Sequence, residues 1–439
     1  MRAVIINIIF IFFVSLSFAQ NTLTFPAIDK KTYKQYSDKN WNELIKTGKQ
    51  SLKKGIDFYY LQYRMGIAYY EQKQYAQSVK YFENVYSKTP DDELIQEYLY
   101  YAYLLSGRID DAKLLSKSFD NSVIEKLHIE TEYPFIRALY IATKHDINED
   151  YNYIPKNTEL INQKTVTSKS WYNISLEHSI GKRVTVFHGY SHLEINSTVK
   201  DTDSDLPSEY TEHLTQNEYY ISLKYHLSKG LNLTGGFHFL HSEYFAPNPI
   251  QTFGRRQFTS ALYYYPENSI TGSLKLDKSF SVFNVSAESS ISNINKKLQI
   301  QPALSLRIYP FGNNKFYSET KGIYLSEKDN SNFTYNPIIK QSFGFTFLKY
   351  SFFSPSVTYG NLINYTSYNA FIVNNDIDKT KFRLESYLNI GFAEGRFNIF
   401  LNYQYNVKEN TFTVNGVDSY KQYINQSITG GIKWYFKKY

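Results

Sequence analysis

Two stretches hold residues whose types and spacing could do chemistry. His188 and His192 stand four apart in VFHGYSHLEI. Neutral imidazoles on one face are common metal ligands. Here the surrounding alternation reads as a strand, so the pair is either a metal site or two plain strand-face histidines. The second stretch is DTDSDLPSEYTE, which places Asp201, Asp203, Asp205 and Glu212 at positions 1, 3, 5 and 12 of a calcium loop. Hard oxygen ligands at that spacing suit Ca²⁺. Against it, the sixth position is Leu206 where a sharp turn needs glycine, Pro207 follows, and no helix flanks the segment; a solvated acidic loop is the other reading. There is no Gly-Xaa-Ser-Xaa-Gly elbow, no HExxH and no phosphate loop. The expectation is a protein with no catalytic residues, no cofactor and no metal, and not an enzyme.

The elements that would position these residues show in the composition. Tyr occurs 43 times and Phe 32 times, aromatics reach 18%, and Cys is absent, while the mean hydropathy is negative. Without cysteine there is no disulfide framework, no thiolate metal site and no lipoprotein anchor. The first residues, MRAVIINIIFIFFVSLSFAQ, carry Arg2, an apolar run and small residues at Ser17 and Ala19. They read as a secretory signal peptide over residues 1–19. No later segment is apolar for 18 residues, so no membrane helix is expected. The net charge of +7 is spread along the chain without a basic stripe, and nucleic acid is not implied.

From about Phe135 the apolar period is two. KFRLESYLNIGF separates Phe382, Leu384, Leu388, Ile390 and Phe392 from Arg383, Glu385, Tyr387 and Asn389. EYYISLKYHLSK and KLQIQPALSLRI separate in the same way, turning Lys224 and Arg307 to the polar side. Short turns alternate with longer polar segments such as 201–214, 370–379 and 411–419; a turn is expected at Asp277-Lys278 and a strand over 351–368. Alternating strands, aromatic richness and alternating loop lengths predict an antiparallel transmembrane β-barrel over 134–439, of about 14 strands (12–16). Lys224, Arg307 and Arg383 become candidate lumen residues. The final GGIKWYFKKY reads as the closing strand, with Ile432, Trp434 and Phe436 on the lipid face. It pairs with the first strand because unpaired backbone in hydrocarbon costs several kcal/mol per group.

Ahead of the barrel, Tyr59 to Pro90 has helical spacing. Met65, Gly66, Tyr69, Phe82 and Pro90 match the tetratricopeptide repeat (TPR) pattern. A second copy 34 residues on carries Tyr103, Gly107 and Ala112, and WNELIKTGKQSLKK fits a preceding helix; a plain helical hairpin bundle is the alternative. A TPR-like helical domain is expected over 20–125 and a linker over 126–133. Arg64 and Lys73 are candidate groove residues, being too polar for its core. The fold class is thus α+β in separate domains: a short helical repeat, then the barrel.

Signal peptide, short TPR array and carboxy-terminal barrel together resemble the YaiO-like outer-membrane proteins of Gram-negative bacteria, and the Tyr, Asn, Lys and Ile bias resembles a Bacteroidetes relative. More distantly, the domain order is similar to exporters of cellulose and poly-N-acetylglucosamine. The resemblance implies a barrel in outer-membrane lipid, with the helical domain in the periplasm. Two functions are then open: docking of a periplasmic protein partner through the TPR groove in envelope assembly, or passage of a solute or polysaccharide through the lumen.

Overall fold

The computed structural model describes residues 24–130, 134–148, 161–201, 209–247, 252–253, 256–257, 262–329, 332–376 and 378–437. The expected signal peptide and the centre of the 201–212 loop lie outside the described residues.

Among the described residues seven helices come first: α1 Phe25–Ser37, α2 Trp41–Lys53, α3 Tyr59–Glu71, α4 Tyr75–Tyr86, α5 Glu93–Leu105, α6 Ile109–Leu115 and α7 Asn121–Lys126. Helices α1, α3 and α5 start 34 residues apart, and so do α2, α4 and α6. The helix starts therefore keep one 34-residue period three times over where the residue pattern displays two. The first pair is masked because Thr32, fully buried, stands where the second has Gly66. Leu44, Leu61, Met65, Ala68, Tyr69 and Tyr81 form one buried cluster, and Tyr69 stacks on Tyr81 at 5.3 Å. Gly66 is required by a close approach, since a Cβ there would stand 2.6 Å from the Phe82 ring.

The chain divides into two compact units, one ending at Tyr103 and the other beginning at Leu104. The division falls earlier than the expected end of the helical domain at residue 125, and α6 and α7 belong with the strands. The expected linker is not a free tether over its described part, because Leu127 and Ile129 are buried.

Fourteen strands close into a barrel in which every neighbour is antiparallel. They are β1 Ile136–Asn148, β2 Ile161–Ile180, β3 Val184–Asp201, β4 Glu209–Ser228, β5 Leu231–Pro247, β6 Leu262–Ser279, β7 Phe283–Ser292, β8 Leu298–Ile308, β9 Phe316–Asp329, β10 Asn332–Leu348, β11 Ser351–Tyr359, β12 Lys379–Phe392, β13 Phe397–Val414 and β14 Val417–Tyr435. β14 pairs with both β13 and β1, with Ile432 opposite Ile399 and Ile141, and Trp434 opposite Phe397 and Leu139. Phe436 extends the closure by donating its N–H to the Arg137 carbonyl at 3.0 Å. The even count brings the start of β1 and the finish of β14 to one end, here the terminal end; the opposite one is the loop end. Outward positions are apolar on strand after strand, with Ile174, Leu223, Leu274, Leu304, Ile339, Ile399 and Trp434 all exposed. A closed sheet with an apolar exterior is the form in which strands cross a bilayer.

Three local expectations are corrected. Residues 411–419 are not a long loop: β13 and β14 run on to a two-residue turn at Asn415 and Gly416, both with positive φ (50° and 76°), as a tight hairpin requires. Asp277 and Lys278 lie inside β6 rather than in a turn. The strand expected over 351–368 stops at Tyr359, because the backbone turns at Gly360 (φ 138°) and Asn364 (φ 58°) and leaves the wall.

Candidate functional site

Strand alternation turns Lys224, Arg307 and Arg383 inward, and each is engaged there. Lys224 Nζ donates to Asp110 Oδ2 at 2.5 Å. Arg307 pairs with Glu319 and lies over the Tyr317 ring at 4.5 Å. Arg383 donates to Asn406 at 2.7 Å and Asn374 at 2.8 Å. Further pairs line the interior: Lys340–Glu385 at 2.8 Å, Lys321–Glu288 at 2.6 Å and Arg137–Glu177 at 3.0 Å. Charges turned inward in this way persist because each meets an opposite charge or an oriented amide.

The segment between β11 and β12 does not reach outward as a loop; residues 361–376 and 378 fold into the lumen. A short hairpin pairs Tyr365–Ser367 with Ile372–Asn374, and Leu362, Tyr365 and Ala370 are buried. Its tip, Tyr368-Asn369-Ala370, takes positive φ throughout. There the Asn369 carbonyl accepts from Tyr220 and Ser273, both at 2.9 Å, and the Ala370 carbonyl accepts from His238 Nδ1 at 2.9 Å. Phe371 packs between Phe187 and Tyr220. On another side Gln301 clamps the Thr366 backbone with two bonds, 2.8 and 3.0 Å, and Asn364 donates to Glu327 at 2.6 Å. Asp376 is held between Lys169 and Lys408, while Asn410 donates to Asp378 at 2.7 Å. The partners run from β2 around to β13, so the hairpin spans the bore rather than leaning on one wall.

At the terminal end a second closure comes from α6 and the turn before it. Gly107 takes φ +81°, and the Asn314 amide faces this turn; assigned with its nitrogen toward the Ser106 carbonyl (3.2 Å) and its oxygen toward the Gly107 N–H (3.0 Å), it satisfies both. Asp111 accepts from His226 Nε2 and from the Gly230 N–H, each at 3.1 Å. Lys182 donates to Ser116 at 3.2 Å. Asn314 sits in the β8–β9 turn and Lys182 in the β2–β3 turn, six strands away in a ring of fourteen. Residues 106–116 therefore strap across the mouth. Burial by itself would raise the Asp110 and Asp111 carboxyls; Lys224 beside the first, and His226 and Arg108 beside the second, hold both below the ordinary value. The strap contacts are thus complete at neutral pH and are lost as pH falls through these lowered values. Asp111→Ala should leave His226 Nε2 and the Gly230 N–H unpaired, at about 1–3 kcal/mol. The expected result is faster tryptic cleavage after Arg108 with the heat-modifiable barrel unchanged; equal cleavage rates would refute the strap.

The helical residues fall in several places. Met65, Tyr69, Phe82 and Tyr103 are buried, Tyr103 donating to Glu83 at 2.9 Å, and Pro90 is exposed in the turn after α4. Gly107 and Ala112 lie in the barrel unit, against the expectation that they pack a second repeat. Arg64 is corrected: it is no open groove residue. It is 7% exposed, donates to Asp29 at 2.7 Å and Thr32 at 2.9 Å, and lies against the Tyr33 and Tyr60 rings. Lys73 sits past the end of α3 in a turn with φ 58°, not on the helix face proposed for it. Tyr33 and Tyr60 are exposed on the first unit. Burial, with neighbouring phenols, pushes the Tyr63 and Tyr70 hydroxyls up to about 12.

His188 and His192 do not meet. His188 Nε2 lies 2.9 Å from His178 Nε2, and His192 is occupied by Asn217 and Glu194 at 2.9 and 3.2 Å. Among the described residues no group of three or more His, Asp or Glu is arranged to hold a metal ion. Of the calcium-loop residues, Asp203 and Asp205 lie outside the described residues, and Glu212 is paired with Lys164. Sequence reasoning missed Asp111, His226, His238 and Asp376; the signal available for the hairpin was the broken alternation at Gly360–Asn364.

No family model matches the chain, and no curated protein matches it significantly. Among solved structures, a Pseudomonas aeruginosa FadL homologue is similar at 10% identity and a TM-score of 0.42, over 69% of this chain and 90% of that one. The Pseudomonas putida toluene transporter TodX is similar at 7% identity and 0.42, over 69% and 89%. A bacterial polysaccharide outer membrane secretin is similar at 7% identity and 0.36, over 70% and 100%.

Proposed function

We propose that this chain is an outer-membrane protein of the YaiO-like type, whose barrel anchors a periplasmic TPR-like module that docks a protein partner in envelope assembly. The observation that carries this reading is the filled bore: a hairpin bonded to wall strands from β2 to β13, and a helix strapped across the terminal mouth. A lumen so occupied serves as a membrane fixture, and the 34-residue period of the helix pairs supplies a stacked surface suited to a partner segment. The purified full chain in planar bilayers should give no large steady conductance, and crosslinking in intact envelopes should trap a protein on the helical unit. Large steady conductance with no trapped partner would overturn the proposal.

A second reading, export or uptake through the lumen, is favoured by the character of the hairpin's contacts. Most are single polar bonds, each worth about 0.5–1.5 kcal/mol net and exchangeable with water, so a partner at the mouth could release it. Conductance that appears only when residues 20–125 are removed or engaged would select this reading.

A further inference from the structure

Arg64 on α3 and Tyr98 on α5 stand one 34-residue period apart, each turned back onto the helices before it. At the first of these junctions the chain supplies its own cation. The Arg64 guanidinium lies against the Tyr33 and Tyr60 rings at 5.3 and 5.6 Å and donates to Asp29 at 2.7 Å. At the second junction Tyr98 takes that place; its ring stacks on Phe82 at 5.3 Å and meets Tyr70 edge-on at 5.2 Å. Tyr36, Tyr63, Tyr70 and Tyr98 are all partly buried, and none of their hydroxyls has a hydrogen-bond partner among the described residues. Burial raises the Tyr63, Tyr70 and Tyr98 hydroxyls, and the carboxylates that add to it are Asp92 at the first, Glu71 at the second, and Glu71 with Glu97 at the third. Asp92 Oδ1 accepts from the Leu94 and Ile95 N–H groups at the start of α5, at 3.0 and 3.2 Å. Glu71 is exposed and in no ion pair among the described residues. The second junction thus has rings and carboxylates without the cation that the first one holds.

We infer that the second junction seats a lysine or arginine side chain of the docked protein segment, among the rings of Tyr36, Tyr63, Tyr70 and Tyr98 and against the Glu71 carboxylate. Aromatic rings attract a cation through their quadrupole, and a carboxylate adds a charge-assisted hydrogen bond. The phenol oxygens have lone pairs that no internal donor uses, and an ammonium or guanidinium brings only donors. An acidic segment would meet carboxylates at the same place, and like charges across an interface disfavour the wrong partner. Arg64 shows that a cation fits between tyrosines of this unit with a carboxylate beside it. The inference rests on the docking reading and adds the chemistry of the segment that docks.

The test is fluorescence anisotropy of labelled peptides on the full chain in detergent. The probes are tetralysine, tetralysine with every ε-amine acetylated, and tetraglutamate. The chain carries a net charge of +7, so unspecific attraction would favour tetraglutamate. Wild type should bind tetralysine in preference to both other peptides. Tyr63→Leu removes a ring and should weaken that binding about tenfold. Glu71→Gln should weaken it about fivefold, and because Glu71 is exposed this variant keeps the test open if Tyr63→Leu misfolds. Glu43→Gln is the control: it removes the same charge from α2, where Glu43 pairs with Lys46, and should bind as wild type does. Tetralysine bound no better than its acetylated form, or weakened as much by Glu43→Gln as by Glu71→Gln, would overturn the site. Crosslinking in intact envelopes separates the inference from the docking reading. A protein trapped equally by wild type and by the Glu71→Gln, Tyr63→Leu double variant would leave docking standing and overturn the cation seat. Specific tetralysine binding with no protein trapped would uphold the seat and remove docking.

Discussion

Replacing residues 363–378 by a three-residue glycine-serine turn should convert a closed barrel into a conducting one. The excision is tolerable because the wall is already joined above it: Leu362 donates its N–H to the Thr380 carbonyl at 2.9 Å and Gly360 to Lys381 at 3.1 Å. Barrel closure rests on β1–β14 pairing, which the change does not touch. The wall groups that lose partners, Tyr220, His238, Gln301 and Arg383, would face a hydrated bore, where water replaces each bond at little net cost. The new pore should also have a sign. Asp376 and Asp378 leave with the hairpin, while Lys169, Lys408 and Arg383 stay on the wall. Interior charge sets the barrier to permeation, so the excised barrel should favour anions. Planar-bilayer recordings with a salt gradient measure both the conductance and the reversal potential. A variant that folds yet stays closed would mean that the strap at the terminal mouth seals the barrel alone; cation preference would contradict the charge assignment.

The second large effect is expected at the seam. Ile432 lies mid-strand between Ile399 and Ile141 on the outward face, so Ile432→Arg places a charge against lipid at depth. The cost is about 2–4 kcal/mol near the bilayer midplane and falls to about 0–1 kcal/mol toward the interface. Trp434→Arg, near the end of β14, and Phe436→Arg, just past it, should therefore lose less. The readout is the fraction of heat-modifiable, folded protein in membranes across the three variants. Equal, near-wild-type folding in all three would remove the closing strand from the lipid-facing surface.

Several errors of reading share one cause. In the barrel wall, polar and apolar residues alternate because one side meets lipid and the other meets the lumen. A lumen is as polar as water, so a segment of Asn, Thr and Asp looks the same whether it extends into solvent or folds inward. Residues 370–379 were legible as polar and irregular, but not as a plug. The extra strand to 368 had a related origin, since Leu362 and Tyr365 lie close enough to the wall's period to pass for more of it. Arg64 failed for another reason: its partner Asp29 is 35 residues away in the chain, so a charged side chain on a helix looked solvated. The tight turn at Asn415-Gly416 was missed inside the loop expected over 411–419, although the dipeptide carries the signal, since both residues tolerate positive φ.

The sequence alone determined the architecture, because helix and strand periods are local and repeat: 3.6 over the first hundred residues, two thereafter, with the outward set of each strand identified by its own alternation. It also determined which charges turn inward, since the register of a half-buried strand cannot slip by one residue without reversing its faces. Only the tertiary structure decided whether the bore is open. The bonds of Asp111 to Gly230, Tyr220 to Asn369 and Lys169 to Asp376 join residues 119, 149 and 207 apart in sequence. No local period encodes such meetings; they exist because closing fourteen strands into a ring brings opposite walls within reach of one hairpin and one short helix.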